Sequence, residues 1–360
     1  MKAIIYHSFD DVRVEEVPLP EIGPGELLLQ PAGCGLCGSD IAKIIGQVSP
    51  PVILGHELAG RVAAVGAGVT AFRSGDRVMV SHHAPCGICR ACRHGHPSMC
   101  PVFRASNIAP GGFAEFVRVP ADLVQQTTLL LPDHLSDEEA SFTEPLACCI
   151  RAVQRSALQP GDTAVVVGLG SIGLQMAQAV KALTEDVQVI GFDVLLDRVI
   201  LGHKLGIDRA LHPGTPDLKE RIEDWTDGQG VDVVILTAGG AQALTQAIDL
   251  LCPGGLLNIF AWPPGLVAPV PLEKLYHGEM TLTTSYSASP ADLRISLGLL
   301  SSGKVRVDRL ISHRLHFEQF HEGVELARKQ QALKVFFVNP SYKQHDNPSA
   351  GHNVRRDQEK

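Results

Sequence analysis

Four cysteines stand at Cys86-x2-Cys89-x2-Cys92-x7-Cys100. Thiolates at that spacing can close a tetrahedron around Zn²⁺ and leave no position for a substrate, which describes a structural site. Four unrelated buried cysteines and an iron–sulfur cluster are the competing readings, and the spacing disfavours both. A second pattern is Gly168-Leu169-Gly170-Ser171-Ile172-Gly173. It follows the apolar run Ala164–Val167 and opens a helical pattern, the context in which a glycine triplet binds a dinucleotide. Gly168 makes the turn, Gly170 lets the backbone approach a pyrophosphate, and Gly173 lets helix pack on strand. Ser171 and Ile172 begin the helix whose N-terminus faces the phosphates. Asp193 lies twenty residues beyond Gly173, at the end of the next apolar run. A carboxylate there binds both ribose hydroxyls of NAD and repels a 2′-phosphate, so NAD is predicted over NADP. Arg198 completes the candidate cofactor set. The third constellation is dispersed. Cys37, Ser39 and Asp40 share one turn, His56 and Glu57 are adjacent, and Glu144 stands far downstream. Singly they read as a buried cysteine, a core histidine and a capping glutamate. Together they offer donors for a second zinc with an exchangeable position.

These groups need two kinds of scaffold. Residues 1–135 show short strand-like pieces at Lys2–Tyr6, Leu27–Pro31, Gly60–Val65, Arg77–Val80 and Phe113–Val119, separated by turns such as Gly23-Pro24-Gly25. That predicts an irregular antiparallel β region. Ser136 and Glu139 form a capping-box pattern, and helical spacing runs from Ala140 to about Leu158. From Thr163, apolar strands at 164–167, 188–192, 232–236 and 256–260 alternate with helices at 172–183, 197–205 and 241–251. Strands buried on both faces and alternating with helices predict a doubly wound parallel sheet, and the fold class is α/β. After Ser287 the pattern changes again, with helices at 291–301 and 317–328 and strands at 310–315 and 334–338, which are read as returning to the first region. The polar, aperiodic stretch 341–360 is read as a disordered tail.

Composition narrows the function classes. The 360-residue chain exceeds one comfortable core, so two domains are expected. A net charge of −8 opposes a nucleic-acid-binding footprint. No apolar run is long enough to span a bilayer, and no cationic leader opens the chain, so the prediction is a soluble cytoplasmic protein with no membrane partner. Clustered cysteines in such a chain read as metal ligands rather than disulfides. Cys34, Cys148, Cys149 and Cys252 read as small buried apolar residues, His82 and His83 as structural or solvent-facing, and Arg151 as a helix-surface charge.

On these residues the chain resembles the zinc-dependent, medium-chain alcohol dehydrogenases. Gly55-His56-Glu57-x2-Gly60-x5-Gly66 resembles that family's zinc signature, the cysteine quartet its structural-zinc lobe and Gly168–Gly173 its cofactor turn. Glu144-Pro145-Leu146-Ala147 resembles the sorbitol, L-iditol and threonine dehydrogenase branch. The resemblance implies a GroES-like β-rich catalytic domain over 1–157, with the zinc lobe at 82–101. It implies a Rossmann domain inserted over 158–290 and a catalytic return over 291–340. It implies catalytic zinc on Cys37, His56 and either Glu57 or Glu144, with Ser39 passing on the substrate proton. Where many members carry a relay histidine this chain has Ala42, so the relay ends through cofactor ribose and water or through Lys43. The expected activity is hydride transfer from a secondary alcohol, a polyol or sugar alcohol, to NAD, giving a ketone. L-threonine and sugar phosphates are alternative substrates, and Arg104 and Arg151 the cationic candidates for a phosphate. A non-catalytic zinc-binding protein is the rival of another class. The family also implies a homo-oligomer, a dimer or tetramer.

Overall fold

The computed structural model describes residues 1–8, 11–47 and 49–343. Its largest regular feature is a six-stranded sheet, ordered Arg209–Leu211, Gln188–Phe192, Thr163–Val167, Val231–Leu236, Leu251–Ile259, Thr281–Thr284, with every pair parallel. The central strands are buried on both faces, as a run such as TAVVV requires once helices cover the sheet. The chain builds outward from Thr163–Val167, then jumps back to place Val231–Leu236 on its other side. That reversal opens a crevice beyond the carboxyl ends of the two strands, and the glycine turn leaves from one of them.

The second sheet has seven strands. Leu27–Gly35 pairs antiparallel with Glu57–Val65, Val117–Val119 and Lys334–Val338. Arg77–Val80 and Thr128–Leu130 extend it on one side, and Ile311–Leu315, parallel to Lys334–Val338, on the other. The C-terminal elements therefore complete the sheet that the first 130 residues begin. Lys2–Ser8 and Asp11–Glu16 form a separate hairpin.

Helices Thr143–Arg155 and Pro290–Ser301 pack together between the sheets, and the Ser296 hydroxyl donates to the Thr143 carbonyl at 2.8 Å. The capping box at Ser136 and Glu139 is present. The single helix read from the Ser136 cap through Ala140 to about Leu158 is instead two, Asp137–Ala140 and Thr143–Arg155. Pro145 explains the break: it has no N–H for the Ser141 carbonyl, and its ring would collide with that carbonyl in a continuous helix. Strand 113–119 is shorter than read, since only Val117–Val119 is laddered, with an isolated bridge at Ala114. Helix Leu218–Trp225 and strand Thr281–Thr284 were not legible in the sequence. The predicted tail also starts too early. Ser341 donates to Asn339 through N–H and Oγ, each at 2.9 Å, and the Tyr342 hydroxyl donates to Asp137 at 2.6 Å. Residues 344–360 of that stretch lie outside the described residues.

Candidate active site and metal centres

Cys37 caps the short helix Gly38–Ala42, and its N–H donates to Asp40 Oδ2 at 3.1 Å. The Ser39 N–H and hydroxyl approach the Cys37 sulfur at 3.5 and 3.3 Å. His56 and Glu57 enter from the start of strand Glu57–Val65. The preceding Gly55 has φ +91°, and a Cβ there would strike Cys34 and Phe113, so only glycine turns the chain into this corner. One donor atom each from Cys37, His56 and Glu57 lie within 4.8 Å of one another. His56 Nδ1 faces Asp40 Oδ1 at 3.4 Å, which leaves Nε2 for a ligand role. Burial alone would raise the Asp40 pKa; the charge and hydrogen bond of His56 outweigh it and hold the carboxyl below its ordinary value. Burial would equally lower His56, but the Asp40 and Cys37 charges hold it well above the ordinary imidazole value.

Glu57 is 2 % exposed, and its two oxygens have different fates. Oε2 accepts from Lys334 Nζ at 2.5 Å, while the buried Oε1 has no partner among the described residues. Thiol, imidazole and carboxylate are a donor set that zinc accepts with one position left open, and Glu57 keeps one oxygen unpartnered, so the residues present fit the ion. Lys334 was not found by reading the sequence, where it appears as the first residue of an apolar strand. It also donates to the Leu36 carbonyl at 3.3 Å. Burial alone would lower its pKa, but the charge and hydrogen bond of Glu57, together with the Cys37 and Asp40 charges, outweigh this and raise it.

Glu144 is buried at the start of helix Thr143–Arg155, outside the three-donor group. Burial raises its pKa, opposed by the His56 charge and reinforced by the Glu57 charge, so it lies within electrostatic reach of both. The Cys148 thiol, one turn on, donates to Glu144 Oε1 at 3.6 Å. Cys148 is therefore a polar neighbour of the site, not the inert packing residue the sequence predicts.

The sulfurs of Cys86, Cys89, Cys92 and Cys100 also lie within 4.8 Å of one another, none in a disulfide. Burial would push the Cys100 thiol up, but the Cys86 and Phe103 N–H groups bring it down to about 6, favouring the thiolate that a metal binds. Arg151 is not the surface charge expected. It is 9 % exposed, donates to the Gly95 carbonyl of this lobe at 3.0 Å and lies 3.9 Å from Asp292. Arg104, the other cationic candidate, is exposed against Met99. A row of rings joins the two centres: His56 to His82 at 4.5 Å between centroids, His82 to His83 at 3.9 Å, His83 to Phe103 at 4.8 Å.

The glycine turn leaves strand Thr163–Val167 with Gly168 at φ +92°. A Cβ on Gly173 would sit 1.7 Å from the Gly168 carbonyl oxygen, so this glycine permits the close packing of helix Ser171–Leu183 on the turn. Ser171 is buried at the helix start, and the Ile172 carbonyl accepts from the Cys149 thiol at 3.7 Å. Asp193 Oδ2 accepts the Leu169 N–H at 2.7 Å and Oδ1 the Leu195 N–H at 2.9 Å. It thus shapes the turn, and Arg198 lies 3.6 Å from it.

Comparison with known proteins accords with this arrangement. Residues 23–132 match the family model of the alcohol dehydrogenase GroES-like domain, and residues 168–302 that of the zinc-binding dehydrogenases. Sorbitol dehydrogenase of Bacillus subtilis (strain 168) is 33% identical over 345 residues, covering 93% of this chain and 96% of its own. L-threonine 3-dehydrogenase of Pyrococcus abyssi is 31% identical over 341 residues, covering 90% and 94%. Among solved structures, a zinc-binding dehydrogenase of Sinorhizobium meliloti 1021 bound to NADP superposes with a TM-score of 0.84 at 29% identity, covering 94% of this chain and 98% of that one.

Proposed function

The chain belongs to the zinc-dependent, medium-chain alcohol dehydrogenase family, in its sorbitol- and threonine-dehydrogenase-like branch, and on that premise we propose that it oxidises a secondary hydroxyl of a polyol or sugar alcohol to a ketone with NAD. The observation that carries this reading is the three-donor group with its unpartnered Glu57 oxygen. Cys37, His56 and Glu57 would hold the ion, and Glu144 stands in reserve as a second carboxylate. A zinc ion there supplies Lewis acidity toward a substrate hydroxyl. Ser39 Oγ, which lies 3.3 Å from the Cys37 sulfur, takes up the proton that the substrate releases. Ala42 offers no further acceptor, so Ser39 would hand a proton on to water, directly or by way of Lys43. Asp40 fixes the His56 ring through Nδ1.

The turn at Gly168, Gly170 and Gly173 would hold a dinucleotide's pyrophosphate at the start of helix Ser171–Leu183. Asp193 supports NAD over NADP, since a buried carboxylate repels a 2′-phosphate; Arg198 beside it weakens that repulsion, and the NADP-bound neighbour makes the choice one to measure. The four thiolates of the lobe would hold a second, structural zinc. We infer that the enzyme acts on small hydroxylated molecules in the cytoplasm, as a dimer or tetramer, without nucleic-acid or membrane partners. Light scattering on the purified protein reports the oligomer.

The test is NADH formation by zinc-replete protein against a panel of polyols, with L-threonine and sugar phosphates as competitors. Turnover of a polyol supports the proposal. Absence of turnover with every hydroxylated substrate, from protein that holds zinc and binds NAD, refutes it in favour of a non-catalytic zinc-binding protein.

A further inference from the structure

We propose that the open edge of the seven-stranded sheet, with the groove beside it, is a contact between two copies of this chain related by a two-fold axis. The inference rests on the oligomer reading above, deepens it to a surface, and does not depend on the dehydrogenase chemistry. The sheet ends at strand Thr128–Leu130, which pairs with Arg77–Val80 and, among the described residues, with no other strand. The Leu131 N–H donates to the Arg77 carbonyl at 2.9 Å, so the alternation of an antiparallel ladder turns the N–H and carbonyl of Leu130 outward, away from the sheet. The Leu130 side chain is 53 % exposed. Proteins charge, cover or pair an edge of this kind, and the strand TLL carries no charge of its own.

Beside the edge lies a groove of about 510 Å³. One wall is Leu129, Leu131 and Pro132, and the other is Arg294, Leu297 and Gly298, which share one face of helix Pro290–Ser301. His134 Nε2 lies 2.9 Å from the Ser301 carbonyl and ties the two walls together. Gly298 keeps the hollow open, since a Cβ there would meet nothing within 4 Å. The surface itself offers what would fill this groove. Leu130 stands exposed at its rim. Arg294 and, next to Pro132, Asp133 are exposed on opposite walls, and neither has an ion pair among the described residues. An apolar knob beside an apolar hollow, flanked by one cation and one anion, is complementary to itself. A two-fold axis would bring Leu130 of each copy to the groove of the other and Arg294 to Asp133 of the partner subunit. The edge and the hollow would also suit an extended peptide. The opposed charges favour a second copy, which brings both.

The experiment is sedimentation velocity of the full-length protein over a concentration series. It compares wild type with Leu130→Glu, Gly298→Gln, Arg294→Glu and the double variant Arg294→Glu with Asp133→Arg. Wild type should be an oligomer. Leu130→Glu should halve its mass, weakening association at least about 100-fold, because it places a charge in each hollow. Gly298→Gln should also halve the mass by filling the groove. It keeps the test sound should Leu130→Glu misfold, since glutamine favours a helix more than glycine does and the far-ultraviolet circular dichroism should be unchanged. Arg294→Glu should weaken association about tenfold, and adding Asp133→Arg should return it to within about threefold of wild type. Wild-type mass in every variant overturns this contact and leaves the oligomer reading standing. A monomeric wild type overturns both. Dissociation in Leu130→Glu without recovery on charge exchange overturns the two-fold arrangement.

Discussion

The cysteine quartet and the Cys37–His56–Glu57 group each keep their donor atoms within 4.8 Å of one another, but they are assembled in opposite ways. The quartet comes from fifteen consecutive residues of a lobe with little regular structure, three of its four cysteines are partly exposed, and an ion there would take up every donor. The three-donor group joins a helix cap to the start of a strand. Its His56 and Glu57 are buried and Cys37 is partly exposed, and other side chains hold it: Asp40 on His56, Lys334 on Glu57, Ser39 beside Cys37. A closed set of four thiolates can serve only stability. An open set of three donors, held from outside, leaves a coordination position and a directed charge for chemistry.

The sharpest break of this contrast is Cys37→Ala. It should lower kcat by about 10⁴-fold and reduce zinc from two per chain to one, measured by metal analysis beside steady-state kinetics. A variant that keeps both ions and its rate would erase the distinction. Lys334→Met should come next, because it leaves the Glu57 carboxylate buried without its partner, a loss of about 3–5 kcal/mol in chemical denaturation. Adding Glu57→Gln should restore most of that stability and none of the activity.

Cys100→Ser tests the other centre. It should release the lobe's metal and lower the thermal midpoint by about 5–10 °C while turnover at low temperature stays within about threefold. Loss of turnover equal to that of Cys37→Ala would show the quartet to be more than structural. Arg151→Met removes the guanidinium that ties the lobe to helix Thr143–Arg155 and should cost about 1–2 kcal/mol, with faster proteolysis confined to residues 86–100. Asp193→Asn should have the smallest effect, shifting the ratio of NAD to NADP efficiency by about tenfold toward NADP.

How much of this was readable beforehand depends on sequence distance. The quartet and the glycine turn are local, and the spacing of their own residues reports them. The capping box at Ser136 and the alternation of apolar strands with helices were legible for the same reason. Pro145 is a local signal as well, since a proline, lacking an N–H, breaks a helix anywhere beyond its first turn. The polar strand TLTT is short and mostly exposed, so neither apolar alternation nor length marks it. Three side chains were misread or passed over because their partners come from elsewhere. Lys334 meets Glu57 across 277 positions, Arg151 meets Gly95 across 56, and His82 packs on a ring 26 residues before it.

By itself the amino-acid sequence determined the ligand types, the chelate spacing of the lobe, the phosphate turn and the alternation of two folding textures, since each depends on covalent neighbours and local burial. Only the tertiary structure decided which carboxylate stands with Cys37 and His56, which of its oxygens remains unpaired, and that Lys334, from a strand 277 positions away, pairs with it. The reason is physical: those contacts arise when strand Lys334–Val338 pairs with Leu27–Gly35 and carries Lys334 to the strand that begins at Glu57. No local pattern along the chain encodes the register of that pairing.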